Sequence, residues 1–394
     1  MTDYCLSVRM YNVGFGDCFL LSYHVGERTH RMLIDCGSHL SGAGPHRMSE
    51  VVARIIADVD DGSGPHLDVV VASHRHFDHI SGFDNRGWDA VNVDEVWLPW
   101  TEHPHDAQAA RIRSAQSRLA AGLAVWGKRR GAAAEQVKML ALNALSNAGA
   151  LETLQRGFAG RPRHRYLPNA TGSATFETPA LPDVRVHVLG PSRDEAVIRD
   201  LDPPHDQSYL RQLAVATSAE ADSAVRPFPT EGMPDPALEA DEAIRALHKA
   251  LRVDPFDLAA SLEDAVNGTS LVLAIELGSA VLLFTGDAQW GTWKAALEVG
   301  EWQELLRRAT FLKVGHHGSH NATPKLLLEA FLPDGLAAMV SVAPVSRWPF
   351  IPKKELVQRL EQKKARLARS DKRRSTPVGF KREGDWWTEV TIAT

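Results

Sequence analysis

Ser73-His74-Arg75-His76-Phe77-Asp78-His79-Ile80-Ser81-Gly82 decides how this chain reads. From His74 to His79, three imidazoles and one carboxylate fall within six positions, directly after the apolar run Leu67-Asp68-Val69-Val70-Val71-Ala72. A loop leaving a buried strand can turn alternate side chains inward. His74 and His76 can then reach one metal ion while Asp78 and His79 reach a second. Imidazole and carboxylate donors suit zinc, manganese or iron, and no soft thiolate is offered. The competing reading is a chance run of surface histidines. It fits poorly, because the cluster is internal, mixed with aspartate and joined to a buried-type strand. A structural site for a single zinc stays open.

Working outward, Asp35 closes Met32-Leu33-Ile34, Asp287 closes the run ending Phe284-Thr285-Gly286, and His316 and His317 follow Phe311-Leu312-Lys313-Val314-Gly315. Alone, each aspartate reads as a turn or cap residue. Beside the histidine cluster they read as site residues, since loops at strand ends carry the ligands of open sheets. Strand signals at 4–23, 31–36, 67–74, 270–287, 310–317 and 337–344, with helical spacing at 49–60, predict an α/β chain of layered sheet and helix. The Ala-, Arg- and Leu-rich stretch 104–160 reads as a helical insertion. Residues 193–265, with 16 Asp or Glu against 7 Arg or Lys and a run of prolines, read as an acidic, loop-rich insertion. The whole of 1–394 is expected to form one domain around these insertions.

The charge balance excludes a globally basic nucleic-acid binder. There are 44 Lys or Arg and 49 Asp or Glu in 394 residues, a net charge of -5. A local patch remains: residues 353–382 hold 12 Lys or Arg against 3 Asp or Glu, on a stretch at 356–370 that reads as helix. The three cysteines, Cys5, Cys18 and Cys36, are odd in number and lack CxxC spacing, which fits a reduced, cytoplasmic protein without disulfides. No cationic stretch precedes an apolar run at the N-terminus, and no window offers about 18 uninterrupted apolar residues, so neither a secretion signal nor a membrane span is expected.

His-x-His-x-Asp-His, the aspartate at 35, Thr285-Gly286-Asp287 and the late histidine together resemble the metallo-β-lactamase fold. VGFGDCF at 13–19, LIDCGS at 33–38, NGTSLVL at 267–273, FTGD at 284–287 and LKVGHHGSH at 312–320 narrow the resemblance to the hydrolase domain of the ComEC competence family, without its membrane channel. The similar blocks span 4–98 and 265–394. The resemblance implies a four-layer αββα sandwich holding two divalent transition-metal ions, zinc or manganese. It implies that His74 and His76 hold one ion, that Asp78, His79 and His317 or His316 hold the other, and that Asp287 bridges them. Asn267 stands where the wider superfamily has a metal histidine. It is an oxygen ligand or a turn residue, and in the first case it tilts the choice towards manganese. Asp35 is expected to orient a ligand rather than to bind metal, and Asp17 to serve the backbone turn.

The chemistry implied is hydrolysis of phosphodiester bonds in nucleic acid. Asp78 and Asp287 are the catalytic carboxylates, with Asp287 as the nearest general base. Ser319, His320, Lys363 and Lys364 are candidate substrate contacts, and Trp88, Trp97, Trp100 and Trp126 offer rings for stacking or for packing. Two other readings stay open. One is a hydrolase of a small phosphodiester with the helical insertion as a lid. The other is an effector whose insertions dock a protein partner while the site acts on a peptide or acyl bond.

Overall fold

The structure, a computed structural model, describes residues 4–39, 44–126, 132–145, 147–169, 174–201, 203–208, 255–345, 348–372 and 375–394. In chain order its strands begin with β1 (Leu6–Tyr11), β2 (Cys18–Val25), β3 (Arg28–Cys36), β4 (His66–Val71), β5 (Asn92–Pro99), β6 (Arg163–Leu167), β7 (Thr175–Thr178) and β8 (Leu181–Gly190). They continue with β9 (Val272–Leu277), β10 (Ala280–Phe284), β11 (Phe311–Lys313), β12 (Ala337–Val340), β13 (Arg366–Arg369), β14 (Phe380–Glu383) and β15 (Trp387–Ile392).

The strands make two mixed sheets. One runs β14-β15-β1-β2-β3-β4-β5-β6 and the other β13-β12-β11-β10-β9-β8-β7. Early and late chain meet in the first sheet, where β1 pairs antiparallel with β15, Leu6 opposite Ile392. Each sheet also has a parallel part, β3-β4-β5-β6 in one and β10-β11-β12-β13 in the other. Alternating side chains give each sheet two faces. Val8, Phe19, Ile34, Val69 and Val71 of the first sheet pack against Val186, Ile275, Leu282, Phe311 and Met339 of the second.

The opposite faces are covered by helices. Val51, Val52 and Ile55 of helix Met48–Asp58 pack with Leu20, Leu33 and Val70. Helices Trp290–Leu297, Gly300–Arg307 and Lys354–Gln362 pack on Val281, Leu283 and Leu312. A third group, helices Ala107–Trp126, Ala132–Leu145 and Pro255–Asn267, shares an apolar cluster of Leu123, Val137, Ala141, Leu262 and Val266.

Two expectations from the sequence change. The helix expected over 356–370 stops at Gln362, Lys364 takes a left-handed φ of 56°, and β13 follows. Pairing parallel to β12 satisfies the backbone there and buries Ala368 between the sheets, which local charge-rich spacing does not reveal. The stretch 193–265, read as loop-rich, ends in helix Pro255–Asn267, whose Leu258, Ala259, Leu262, Ala265 and Val266 are buried at helical spacing. Its middle, 209–254, lies outside the described residues. Trp88, Trp97 and Trp100 are fully buried and serve packing, not base stacking. Cys18 and Cys36 face each other across β2 and β3 as buried free thiols, and Cys5 is free. Among the described residues no helix is long and apolar enough to cross a membrane.

Candidate metal centre

The loops at one edge of the two sheets converge. Asp35 ends β3, residues 73–79 follow β4, Asp287 follows β10, His316 and His317 follow β11, and Ser341 follows β12. The approach of the backbones is close. A Cβ on Gly37 would lie 2.5 Å from the Asp78 carbonyl carbon and 2.6 Å from the His79 nitrogen, so only glycine lets β3 end against the histidine turn.

Four imidazoles present a nitrogen to a neighbouring ligand atom. His74 Nε2 lies 3.0 Å from His76 Nδ1, His79 Nε2 lies 3.1 Å from Asp287 Oδ2, and His317 Nε2 lies 3.1 Å from Asp78 Oδ2. Two donors on one tetrahedral ion at about 2.0 Å stand roughly 3.3 Å apart, so these pairs have the spacing of shared-ion edges. His74, His79 and Asp287 form one such group, and Asp78, His79 and His317 form another. All are buried.

The outer ring nitrogens of His74, His79 and His317 are held from behind. His79 donates Nδ1–H to Asp35 Oδ2 at 2.8 Å, and His317 donates Nδ1–H to the Ser341 carbonyl at 2.8 Å. His74 Nδ1 lies 3.1 Å from Ser73 Oγ, which itself donates to Asp35 Oδ2. Such acceptors fix ring orientation and leave the inward lone pair for a cation. Asp35 also accepts from the Ser73 backbone N–H, at 2.7 Å. It thus lies behind the His79 ring, on the side away from Asp287.

Electrostatics ask for cations here. Asp17, Asp35, Asp78 and Asp287 are buried together, with the Lys313 ammonium and the His79 and His317 rings as the cationic or ionisable groups facing them. Burial alone would discharge His79, yet Asp287, Asp35 and Asp78 hold it well above the usual histidine value. His317, likewise opposed by burial, is raised by Asp78 and Asp17. Burial opposes ionisation of Asp78 and Asp287 too, but the facing histidines, and for Asp287 also Lys313, hold both well below the carboxylate range. His74 and His76 go the other way: desolvation keeps them neutral, His76 down to about 4, so their lone pairs are available. Asp78 Oδ1 and both amide atoms of Asn267 are buried without a hydrogen-bond partner. The unpaired Asp78 Oδ1, on a carboxylate facing His317, is the buried acceptor a cation could satisfy.

His317 joins the cluster by its ring, whereas His316 contributes its backbone N–H to Asp287 Oδ1 at 3.0 Å and turns its Nδ1 to Asn321. Both residues have left-handed backbones, φ 45° and 52°, a strain of roughly 1–3 kcal/mol each for non-glycine residues. Ser319 donates to Asn321 Oδ1. His320, next to Lys353 and His316, is desolvated and lowered to about 4. Lys363 and Lys364 are not brought to the centre. They precede β13, at the sheet edge opposite the one where His317 and Ser341 follow parallel strands, and Lys363 pairs with Asp334 at 2.9 Å.

Three residues at the centre escape sequence reasoning. Lys313 Nζ meets Asp17, Asp287 Oδ1 at 3.2 Å and the Gly286 carbonyl at 2.9 Å, so Asp17 belongs to the site and not only to its turn. Burial would strip Lys313 of its proton, but Asp17 and Asp287 keep it charged, with its pKa raised. Glu263 lies 3.6 Å from His76 Nε2. A polar residue ending an apolar strand, as Lys313 does, is the one available signal. Compared with known proteins, the chain matches no protein-family model and no curated protein.

Proposed function

We propose that this chain is a metal-dependent hydrolase of phosphodiester bonds, built as a metallo-β-lactamase-type αββα sandwich and similar to the ComEC hydrolase domain. One observation carries the reading: the inward nitrogens of His74, His76, His79 and His317 stand 3.0–3.1 Å from one another or from Asp78 and Asp287, with hydrogen-bond partners behind the rings of His74, His79 and His317. Facing sheets with helices on both outer faces support the fold part of the reading.

His74 and His76 would hold one ion, Asp78, His79 and His317 the other, with Asp287 between them. Two divalent cations about 3.5–4 Å apart activate water near neutral pH and draw charge from phosphoryl oxygens. Asp287 Oδ2, facing His79, is the nearest base to take a proton from attacking water, while Lys313 and the His316 N–H hold Oδ1. His320, held neutral beside the His316 turn with its pKa lowered to about 4, has no acidic proton to give at neutral pH, so the leaving oxygen would take its proton from solvent.

Nucleic acid is the first substrate class and a small phosphodiester the second. The second gains from the placement of Lys363 and Lys364 away from the centre, and from the helical layer that reaches it: Asn147 donates to the Arg75 carbonyl, and Glu263 faces His76. The test is purified protein with manganese or zinc on single-stranded DNA, RNA, duplex DNA and a bis-aryl phosphodiester. Turnover of the strands supports the first class, turnover of the aryl ester alone selects the second, and inactivity on all four rejects the phosphodiesterase reading.

A further inference from the structure

His76 differs from its three neighbours in what lies behind the ring. Its Nδ1 faces His74, as a ligand's inward nitrogen would, but its Nε2 is buried with no hydrogen-bond partner. The carboxylate oxygen Oε2 of Glu263 stands 3.6 Å away, beyond a hydrogen bond and within reach of a small ring or side-chain rotation. Asp35 plays this part behind His79 and the Ser341 carbonyl plays it behind His317.

We infer that Glu263 is a positioning residue for His76, and that through it the helical layer belongs to the metal centre. A carboxylate only accepts, so contact with Glu263 places the ring proton on Nε2 and leaves the Nδ1 lone pair turned to His74 Nε2. Glu263 is itself steered. Asn143 donates Nδ2–H to its Oε2 at 3.2 Å, and the helix carrying it packs through Ala259, Leu262 and Val266 against Ala120, Leu123, Val137 and Ala141 of the other two helices. A shift of the helical layer therefore moves the oxygen that orients His76. The inference rests on the metal reading of the centre and adds a residue from outside the histidine motif.

The test uses the full chain reconstituted with cobalt and with zinc, as wild type, Glu263→Gln, Glu263→Ala and Asn143→Ala. Ions per chain, competition against a chelator and the visible cobalt spectrum are measured. Glu263→Gln, which keeps shape and loses charge, should still bind two ions, one of them about tenfold to a hundredfold more weakly, with a changed cobalt spectrum. Asn143→Ala should weaken the same ion by less. Unchanged affinity and spectrum in Glu263→Gln would overturn the inference, whatever its unfolding temperature. Loss of one ion at saturating metal in both Glu263 variants would also overturn it, because Glu263 would then be a ligand. A wild type that binds no ion rejects the metal centre itself, a failure distinct from either.

Discussion

Asp287 uses its two oxygens differently. Oδ1 accepts from Lys313 Nζ and the His316 N–H, and Oδ2 faces His79 Nε2 at 3.1 Å. An amide in its place turns an NH2 towards one of these donors and cannot balance two dications or take a proton from water. Asp287→Asn is therefore expected to stay folded and to lose nearly all hydrolysis, by a factor of about 10³ or more, the scale of losing a major electrostatic contribution. Asp35→Asn, acting through His79, should cost about 10–100-fold in activity or metal affinity. Steady-state rates and metal titration on the two variants decide the ranking, and a heavier loss at Asp35 would exchange their roles. Lys313 acts on stability. Lys313→Met removes the ammonium paired with Asp17 and leaves Asp287 with only His79 and the His316 N–H, a change of the kind worth about 3–5 kcal/mol in buried pairs. Urea unfolding of Lys313→Met beside Lys313→Met/Asp17→Asn should show that loss and its partial recovery; equal stability of wild type and Lys313→Met would remove the ion pair from the account.

Strand ends explain both what the sequence disclosed and what it withheld. The convergence of His74 to His79 was legible because three imidazoles and a carboxylate stand together after β4, and that of Asp35 and Asp287 because each interrupts an apolar run. Asp17 with Lys313 and His76 with Glu263 were not, since each pair meets only when two sheets or a helix and a sheet pack together. Lys363 and Lys364 lie away from the centre for the same reason: charge along the chain does not tell which edge of a sheet it will occupy. Glu95 is another link between sheets that no local pattern shows. On β5 it accepts from Arg165 at 2.6 and 2.8 Å, from Trp97 Nε1 at 2.8 Å and from Thr178 Oγ1 of β7 at 2.8 Å. Burial opposes its charge, but Arg165, Trp97 and Thr178 outweigh burial and lower its pKa. A lowered folded value means stability that is present above the unfolded glutamate pKa and lost as pH falls through the folded one. Glu95→Gln should thus lower unfolding free energy by about 1–3 kcal/mol at neutral pH, the range for hydrogen bonds to a charged group. The gap to wild type should narrow at pH 4, and denaturation curves showing a constant or widening gap would contradict the assignment.

At the scale of the whole molecule, the centre is the larger of the polar joints described between the two sheets, beside the Glu95–Thr178 link. Asp35 and His74 to His79 come from the ends of β3 and β4 in one sheet, and Asp287, His317 and Ser341 from the ends of β10, β11 and β12 in the other. The layered sheets were legible from apolar runs, but which strands share a sheet follows from pairings such as β1 with β15, which the sequence separates by nearly its full length. Four carboxylates, Asp17, Asp35, Asp78 and Asp287, are buried close together at this edge, which concentrates negative charge between the sheets. Divalent cations would relieve it and bind both sheets at once, so metal should stabilise the folded chain as a unit and not merely order a loop. A ligand that binds only the folded state adds RT ln(1 + [L]/Kd), about 2.7 kcal/mol at a hundredfold excess over Kd. Chelation is therefore expected to lower the unfolding midpoint, return of zinc or manganese to restore it in proportion to the logarithm of free metal, and the loaded protein to hold close to two ions per chain. His76→Ala should lose metal at one site and respond less, since its other ring partner, His74, keeps only part of that ligand set. The measurement is thermal unfolding of wild type and His76→Ala with chelator and across a metal series, read by far-ultraviolet and by tryptophan signals. Coincident transitions that move with metal support a joint between sheets, whereas a midpoint indifferent to chelation and to added metal would exclude these histidines and aspartates as a metal centre.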